Sequence, residues 1–117
     1  MTERAPARGD VIWLELRPEA GHDQAGHEQA GRRPALVLSP EAYNRRTGLA
    51  VVCPVTSRVK VYPFEVQLPP ELAVTGVVLA DQVRNVDWRA RRASPAGRVS
   101  PSVVAEVLGK LGTLLGR

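Results

Sequence analysis

The apolar residues of this chain come in short runs cut by proline and glycine. That punctuation constrains the fold more than any other feature. Residues 35–38 (Ala-Leu-Val-Leu) form a four-residue apolar run, with Pro34 before it and Ser39-Pro40 after it. A run this short, with turn signals on both sides, reads as a buried strand. Similar runs occupy residues 10–16 (DVIWLEL), 49–55 (LAVVCPV), 62–68 (YPFEVQL) and 76–80 (GVVLA), the last continued by residues 81–86. In the first of them Ile12, Leu14 and Leu16 share one face, and Val11, Trp13 and Glu15 the other. Pro63 confines the start of its run to an edge or a strand end, because it has no N–H to donate.

Two segments read as helices. Ser39-Pro40-Glu41 is a start signature: a capping serine, a proline at the first helical position and an acid in the first turn. That helix is short and stops by Gly48. Ser100-Pro101 repeats the signature, and Val104, Val107, Leu108, Leu111, Leu114 and Leu115 then fall on one apolar stripe. Gly109 and Gly112 each weaken this helix by about 1 kcal/mol, so packing must hold it. The predicted architecture is mainly β within the α+β class. It is a small, strongly bent antiparallel sheet or barrel with a helix packed on it. With 117 residues and no linker, the whole chain, residues 1–117, reads as one domain.

Hydrophobic residues make up 44% of the chain, which excludes disorder for its bulk. The net charge is +4, and fourteen of the sixteen basic residues are arginines, a bias that favours phosphate recognition. The sequence has no run of 18 apolar residues and does not open on a signal peptide, so a soluble cytoplasmic protein without membrane contact is expected. The single cysteine, Cys53, lies in an apolar run and reads as a small core residue rather than a nucleophile.

Residues 17–32 form a long loop with an internal duplication: Gly21-His22-Asp23-Gln24-Ala25 is followed directly by Gly26-His27-Glu28-Gln29-Ala30. A surface loop tolerates such an insertion cheaply. His22, Asp23, His27 and Glu28 resemble a metal site, but the duplication explains their spacing, and no metal or other cofactor is expected. At the loop's end Arg33 precedes Pro34, which stiffens the local backbone and suits a guanidinium fork aimed at phosphate. Thr56 and Ser57 fall just past the end of the 49–55 strand, where a hydroxyl can reach a site at the sheet rim. Residues 58–61 (RVKV) and 88–92 (WRARR) are basic turns, the second either a nucleic-acid contact or a solvated run. Trp13 reads as half-buried core more readily than as a base-stacking platform.

Several of these motifs together resemble the MazF/PemK family of toxin–antitoxin endoribonucleases. They are Gly9-Asp10-Val11-Ile12-Trp13, Glu28-Gln29-Ala30-Gly31 through Arg33-Pro34, Val37-Leu38-Ser39-Pro40, Tyr43-Asn44 to Thr47-Gly48, Tyr62-Pro63-Phe64-Glu65-Val66, Leu79-Ala80-Asp81-Gln82-Val83 and Trp88-Arg89-Ala90-Arg91. The resemblance spans nearly the whole chain. It implies an SH3-like barrel with a C-terminal helix, a homodimer, and metal-independent cleavage of single-stranded RNA at short sequences. It also implies an acidic antitoxin as partner. By motif, Arg33 matches the catalytic arginine, Thr56 the threonine that acts with it, and Glu28 the loop acid. Gln29, Arg32, Ser57, Arg58, Lys60 and Arg84 are the further residues expected to contact RNA. The duplicated pentapeptide and Arg32 depart from the family pattern.

The chemistry agrees with that resemblance. RNA carries its own nucleophile, so a protein need only align the groups, stabilise charge on the phosphorane and manage two protons. Arginine, with a pKa above about 12, is better suited to the electrostatic part than to acting as a base. Two other readings use the same barrel. A gyrase poison of the CcdB type would carry a C-terminal Trp-Gly-Ile, where this chain has Leu115-Gly116-Arg117. A non-catalytic nucleic-acid-binding barrel would keep the basic face without needing Arg33 and Thr56 together.

Overall fold

The computed structural model describes residues 4–16 and 31–116. Among them seven strands and two helices follow in the order β1 (Asp10–Glu15), β2 (Arg32–Val37), α1 (Glu41–Thr47), β3 (Leu49–Thr56), β4 (Glu65–Gln67), β5 (Val77–Leu79), β6 (Arg84–Asp87), β7 (Ser94–Arg98) and α2 (Pro101–Leu114). All pairings are antiparallel, and the spatial order is β4-β5-β3-β2-β1-β7, with β6 pairing β3 beside β5. The sheet bends as expected but does not close. Its terminal strands, β4 and β7, do not pair with each other.

The long central strand β3 makes the bend. Its first half pairs β6 (Leu49 with Asp87 through Val52 with Arg84), and its end pairs β5 (Val55 with Val78, Thr56 with Val77). The expected continuation of β5 into residues 81–86 is therefore interrupted. A turn closed by the Gln82 amide on the Leu79 carbonyl separates β5 from β6, so each can take its own stretch of β3. The expected strand at residues 62–68 shrinks to three residues, because Tyr62 to Glu65 form a turn around Pro63. Strand β7, Ser-Pro-Ala-Gly-Arg, carries no strand signal in its sequence. It exists as an edge partner of β1, with a register shift at Val11/Ile12.

The bent sheet buries a cluster on each face. One contains Val11, Leu36, Cys53, Val55, Val66, Leu68 and Val78, and is covered by Val104, Val107 and Leu111 of α2. Burying those three side chains contributes about 1.5–3 kcal/mol each, which outweighs the glycine penalties in the helix. The outer part of the expected apolar stripe stays uncovered: Leu108, Leu114 and Leu115 are 39, 51 and 70% exposed. The second cluster contains Ile12, Leu14, Ala35, Val37, Ala50, Val52, Val86 and Trp88. Trp13 is half-buried against the first cluster, as its sequence context suggests.

Helix α1 ends at Gly48, whose φ of 76° is left-handed, with its amide on the Asn44 carbonyl. Its start differs from the sequence expectation. Pro40, not Ser39, is the cap, and no side chain caps the helix. The Ser39 hydroxyl instead donates to Asn44 Oδ1 (2.6 Å) and accepts from the Val51 amide (2.8 Å). Asn44, fully buried, donates to the carbonyls of Pro6 and Ser39, and Trp88 Nε1 donates to the Asn44 carbonyl. This satisfied polar knot ties the N-terminal segment, α1 and the turn after β6 together. Ser100 does cap α2 by position, but its hydroxyl pairs with Ser102 rather than with a helix amide.

Candidate active site

The register between β2 and β3 sets Ala35 against Pro54, Leu36 against Cys53 and Val37 against Val52. Continued outward by two residues, the same register brings Arg33 level with Thr56. Strand alternation then puts both on the face that carries Ala35, Val37 and Val52. Arg84 lies opposite Val52 and shares that face. Arg33 and Thr56, both half-buried, thus fall level with each other just beyond the last β2–β3 pair. Pro34, paired with Trp13 of β1, holds the backbone next to Arg33 extended.

Thr56 is fixed from two sides. Its side-chain oxygen accepts the Arg58 amide at 3.1 Å, which leaves its O–H as a donor. Its backbone lies against Gly76. A Cβ built at Gly76 would sit 2.1 Å from the Thr56 carbonyl oxygen, and φ there is 123°. Glycine at position 76 is what lets the end of β3 and the start of β5 come this close.

Arg32, the neighbour of Arg33, is engaged elsewhere. Its Nη2 donates to the Arg92 carbonyl (3.0 Å) and to Ser94 Oγ (2.8 Å), and its Nη1 lies 3.9 Å from Glu15. Arg91 donates to the Glu15 carbonyl and Arg92 pairs with the Glu15 side chain, so this part of the 88–92 turn is tied to the end of β1. Arg89 lies over the Trp88 ring at 4.3 Å.

Ser57, Arg58 and Lys60 sit on the exposed stretch that follows Thr56 at the end of β3. Sequence reasoning missed the groups that hold this stretch. Glu65 accepts the amides of Lys60 and Tyr62, and the Tyr62 hydroxyl donates to Asp81 Oδ2 at 2.7 Å. Their signal was present, since Glu65 and Asp81 both lie in motifs singled out above. Glu28 and Gln29, and His22 and His27 with the rest of the duplicated segment, lie outside the described residues. Among the described residues no three His, Cys, Asp or Glu side chains are grouped as metal ligands. Cys53 is fully buried, and burial, helped by Asp81, pushes its thiol up to about 12. That suits a core residue and not a nucleophile. No helix among the described residues is long and apolar enough to cross a membrane.

A family model described as PemK-like, MazF-like toxin of type II toxin–antitoxin system matches residues 7–115. The chain is 44% identical over 111 residues to the endoribonuclease toxin MazF of Escherichia coli K12, covering 95% of each. It is 42% identical over 112 residues to the E. coli endoribonuclease PemK, covering 92% of this chain and 80% of that one. Among solved structures, MazF from Deinococcus radiodurans superposes with a TM-score of 0.86 at 57% identity, covering 98% of this chain and 100% of that one. A MazE-MazF structure from the same organism gives 0.84 at 53% identity, covering 97% and 98%.

Proposed function

The chain belongs to the PemK-like, MazF-like toxin family of type II toxin–antitoxin systems, and on that footing we propose that it is a sequence-specific endoribonuclease acting on single-stranded RNA. The observation that carries the proposal is the register of β2 on β3, which, continued two residues beyond the Ala35–Pro54 pair, sets Arg33 level with Thr56 on one face. In the proposed reaction the 2′-hydroxyl 5′ to the cut attacks the adjacent phosphorus, and the 5′-oxygen of the next nucleotide leaves. The products are a 2′,3′-cyclic phosphate and a 5′-hydroxyl. One proton leaves the 2′-hydroxyl and one arrives at the departing oxygen. The Arg33 guanidinium takes the charge that develops on the non-bridging oxygens, through a planar pair of N–H donors. The Thr56 hydroxyl donates to the same phosphoryl group, its oxygen already steadied by the Arg58 amide. The reaction as written needs no metal, because the nucleophile belongs to the substrate.

Ser57, Arg58, Lys60 and Arg84 are the proposed backbone contacts of the RNA strand, with Glu28 and Gln29 contributing from the duplicated loop. Arg32 is proposed as a secondary contact, since part of its donor set is directed to Arg92 and Ser94. An acidic antitoxin is the proposed inhibitor, occupying the same basic surface. A homodimer is the proposed assembly, supported by the uncovered Leu108 and Leu114 of α2 and Leu115 just after it. Light scattering should give twice the 12.7 kDa chain mass. The proposed compartment is the cytoplasm, where the RNA is.

The deciding experiment incubates the protein with a long RNA in EDTA, maps the cut, and repeats the assay on an oligonucleotide with one 2′-deoxy nucleotide 5′ to that cut. Cleavage of the first and survival of the second are expected. Cleavage of the deoxy substrate at the same bond would show that the nucleophile is not the substrate's own.

A further inference from the structure

Residues 57–64, between β3 and β4, carry Ser57, Arg58 and Lys60 next to Thr56, and contain no helix or strand. Every residue from 57 to 63 is exposed, so apolar burial does not hold this loop until Phe64 packs on the core. Its shape is nonetheless unusual. Val61, 91% exposed, has a φ of 55°. A β-branched residue in the left-handed region is unfavourable, and such a conformation persists only where surrounding contacts impose it.

Those contacts are polar. Glu65 Oε2 accepts the Lys60 amide at 2.9 Å and Oε1 accepts the Tyr62 amide at 3.3 Å. One carboxylate therefore clasps the two amides that flank Val61, as amides converge on an anion in a backbone nest. Two ties fix the far end: the Tyr62 hydroxyl on Asp81 Oδ2, and Lys110 Nζ on the Pro63 carbonyl. The other carboxylate oxygen of Asp81 is buried with no partner among the described residues. A buried orphan acceptor is costly and calls for a reason, and the tyrosine hydroxyl is the group this carboxylate holds. Acceptance of that hydrogen bond is also the first cause of the raised pKa of the Tyr62 phenol, with desolvation and the Asp81 charge behind it.

We infer that Glu65 and Asp81 are positioning residues: they hold the 57–64 loop in its strained shape so that Arg58 and Lys60 meet the RNA backbone beside Thr56, and they set substrate affinity rather than the rate of the chemical step. The inference rests on the RNA-cleaving function proposed above.

The test measures Kd for a single-stranded RNA oligonucleotide with a 2′-deoxy nucleotide at the mapped cut, across a range of salt, and kcat on the cleavable version at saturation. Glu65→Gln keeps the side chain's shape, but its amide nitrogen cannot accept a hydrogen bond. It should weaken Kd roughly tenfold, the effect of losing a charge-assisted tie. Its kcat should stay within about twofold of wild type, where loss of a group acting only in the transition state would lower kcat. The salt dependence of log K should become shallower, by up to about 0.7 for each phosphate that the loop no longer neutralises. Asparagine tolerates the left-handed region, so adding Val61→Asn to Glu65→Gln should restore most of the affinity. Tyr62→Phe, which deletes only the hydroxyl held by Asp81, gives a second route should Glu65→Gln fail to fold, and should shift Kd in the same sense. Wild-type Kd and salt dependence in Glu65→Gln or Tyr62→Phe would overturn the inference, as would a fall in kcat at unchanged Kd or no restoration by Val61→Asn. If the wild-type protein cleaves no RNA, the functional reading itself fails, and the inference falls with it.

Discussion

Replacing Gly76 by alanine should damage the candidate site without substituting any residue proposed to contact RNA. The added Cβ would lie 2.1 Å from the Thr56 carbonyl oxygen, 2.8 Å from the Thr56 carbonyl carbon and 3.0 Å from Ser57 Cα. All three are backbone atoms, so no side chain can swing aside. The φ of 123° adds backbone strain for any residue with a Cβ. Strain of this kind costs about 1–3 kcal/mol, and overpacking against a fixed wall about 1–3 kcal/mol more. A loss of about 2–6 kcal/mol is a large part of the roughly 5–15 kcal/mol that holds a domain of this size. At roughly 4 °C per kcal/mol, Tm should fall by about 8–24 °C. Relief can come only by pushing the end of β3 away from β5, which breaks the Thr56–Val77 pairing and moves Thr56. A shift of about 1 Å in a catalytic group can lower the rate on the order of 10²-fold. Cleavage should be measured at a temperature where circular dichroism shows the variant folded, so that lost activity is not lost protein. A Gly76→Ala protein with wild-type Tm and wild-type cleavage would refute the claim that the close approach at Gly76 positions Thr56.

Gly109→Ala is the converse case: nothing lies within 4 Å of the added Cβ in α2, so thermal unfolding should show a gain of about 0.5–1 kcal/mol. Arg33→Ala should lower cleavage roughly 10²-fold or more, and Arg33→Lys should recover only part of it in single-turnover assays, because an ammonium cannot form the planar fork. The Cys53 thiol, pushed up to about 12 from 9.0, keeps its proton at pH values where the unfolded chain has lost it. Stability from this group is therefore intact below about pH 9 and falls as pH rises toward 12, by at most about 1.4 kcal/mol per pH unit. Urea unfolding of Cys53→Ala across the same range should show a correspondingly shallower decline. Deleting residues 21–25 leaves one copy of the duplicated pentapeptide, and the purified variant should still cut RNA; a folded variant with no cleavage would show that the insertion is functional.

Much of the fold was legible because its strands are short apolar runs with proline and glycine between them. Residues 35–38 and 49–55 announce β2 and β3, and both helices begin where Ser-Pro pairs suggest, to within a residue. What was not legible depends on a partner. Strand β7 contains Ser94, Pro95 and Gly97, poor strand formers, and gains its conformation from the free edge of β1. Ser39 has the right type and place for a cap, but a buried asparagine five residues on competes for its hydroxyl and wins. The site divides in the same way. Arg33 and Thr56 could be named from their motifs, but nothing in either motif says that they share a face; the register of β2 on β3 decides that. Glu65 reads as one residue of an alternating strand. Its carboxylate turns back to amides three and five residues earlier, a contact that periodicity cannot encode.

The paired arginines at the start of β2 show how a strand separates two tasks that a sequence places side by side. Successive side chains leave a strand on opposite faces. Arg32 lies opposite Glu15 and Arg33 opposite Leu14, so the two guanidiniums depart in different directions. On the Glu15 side, Arg32 finds the Arg92 carbonyl and Ser94 and ties the edge strand β7 and the turn before it to β1 and β2. On the Leu14 side, Arg33 lies at the rim of the second cluster, level with Thr56. Pro34 follows at once and restrains the backbone of Arg33, so that guanidinium starts from a fixed base. A one-residue slip of β2 would exchange the two faces, sending Arg32 to the Leu14 side and Arg33 to the Glu15 side. Ala35, Leu36 and Val37, each fully buried, oppose that slip, because both faces of β2 are packed and it would force Leu36 into the cluster fitted around Ala35 and Val37. The apolar core of this strand therefore sets which of the two arginines lies on the face proposed to meet RNA.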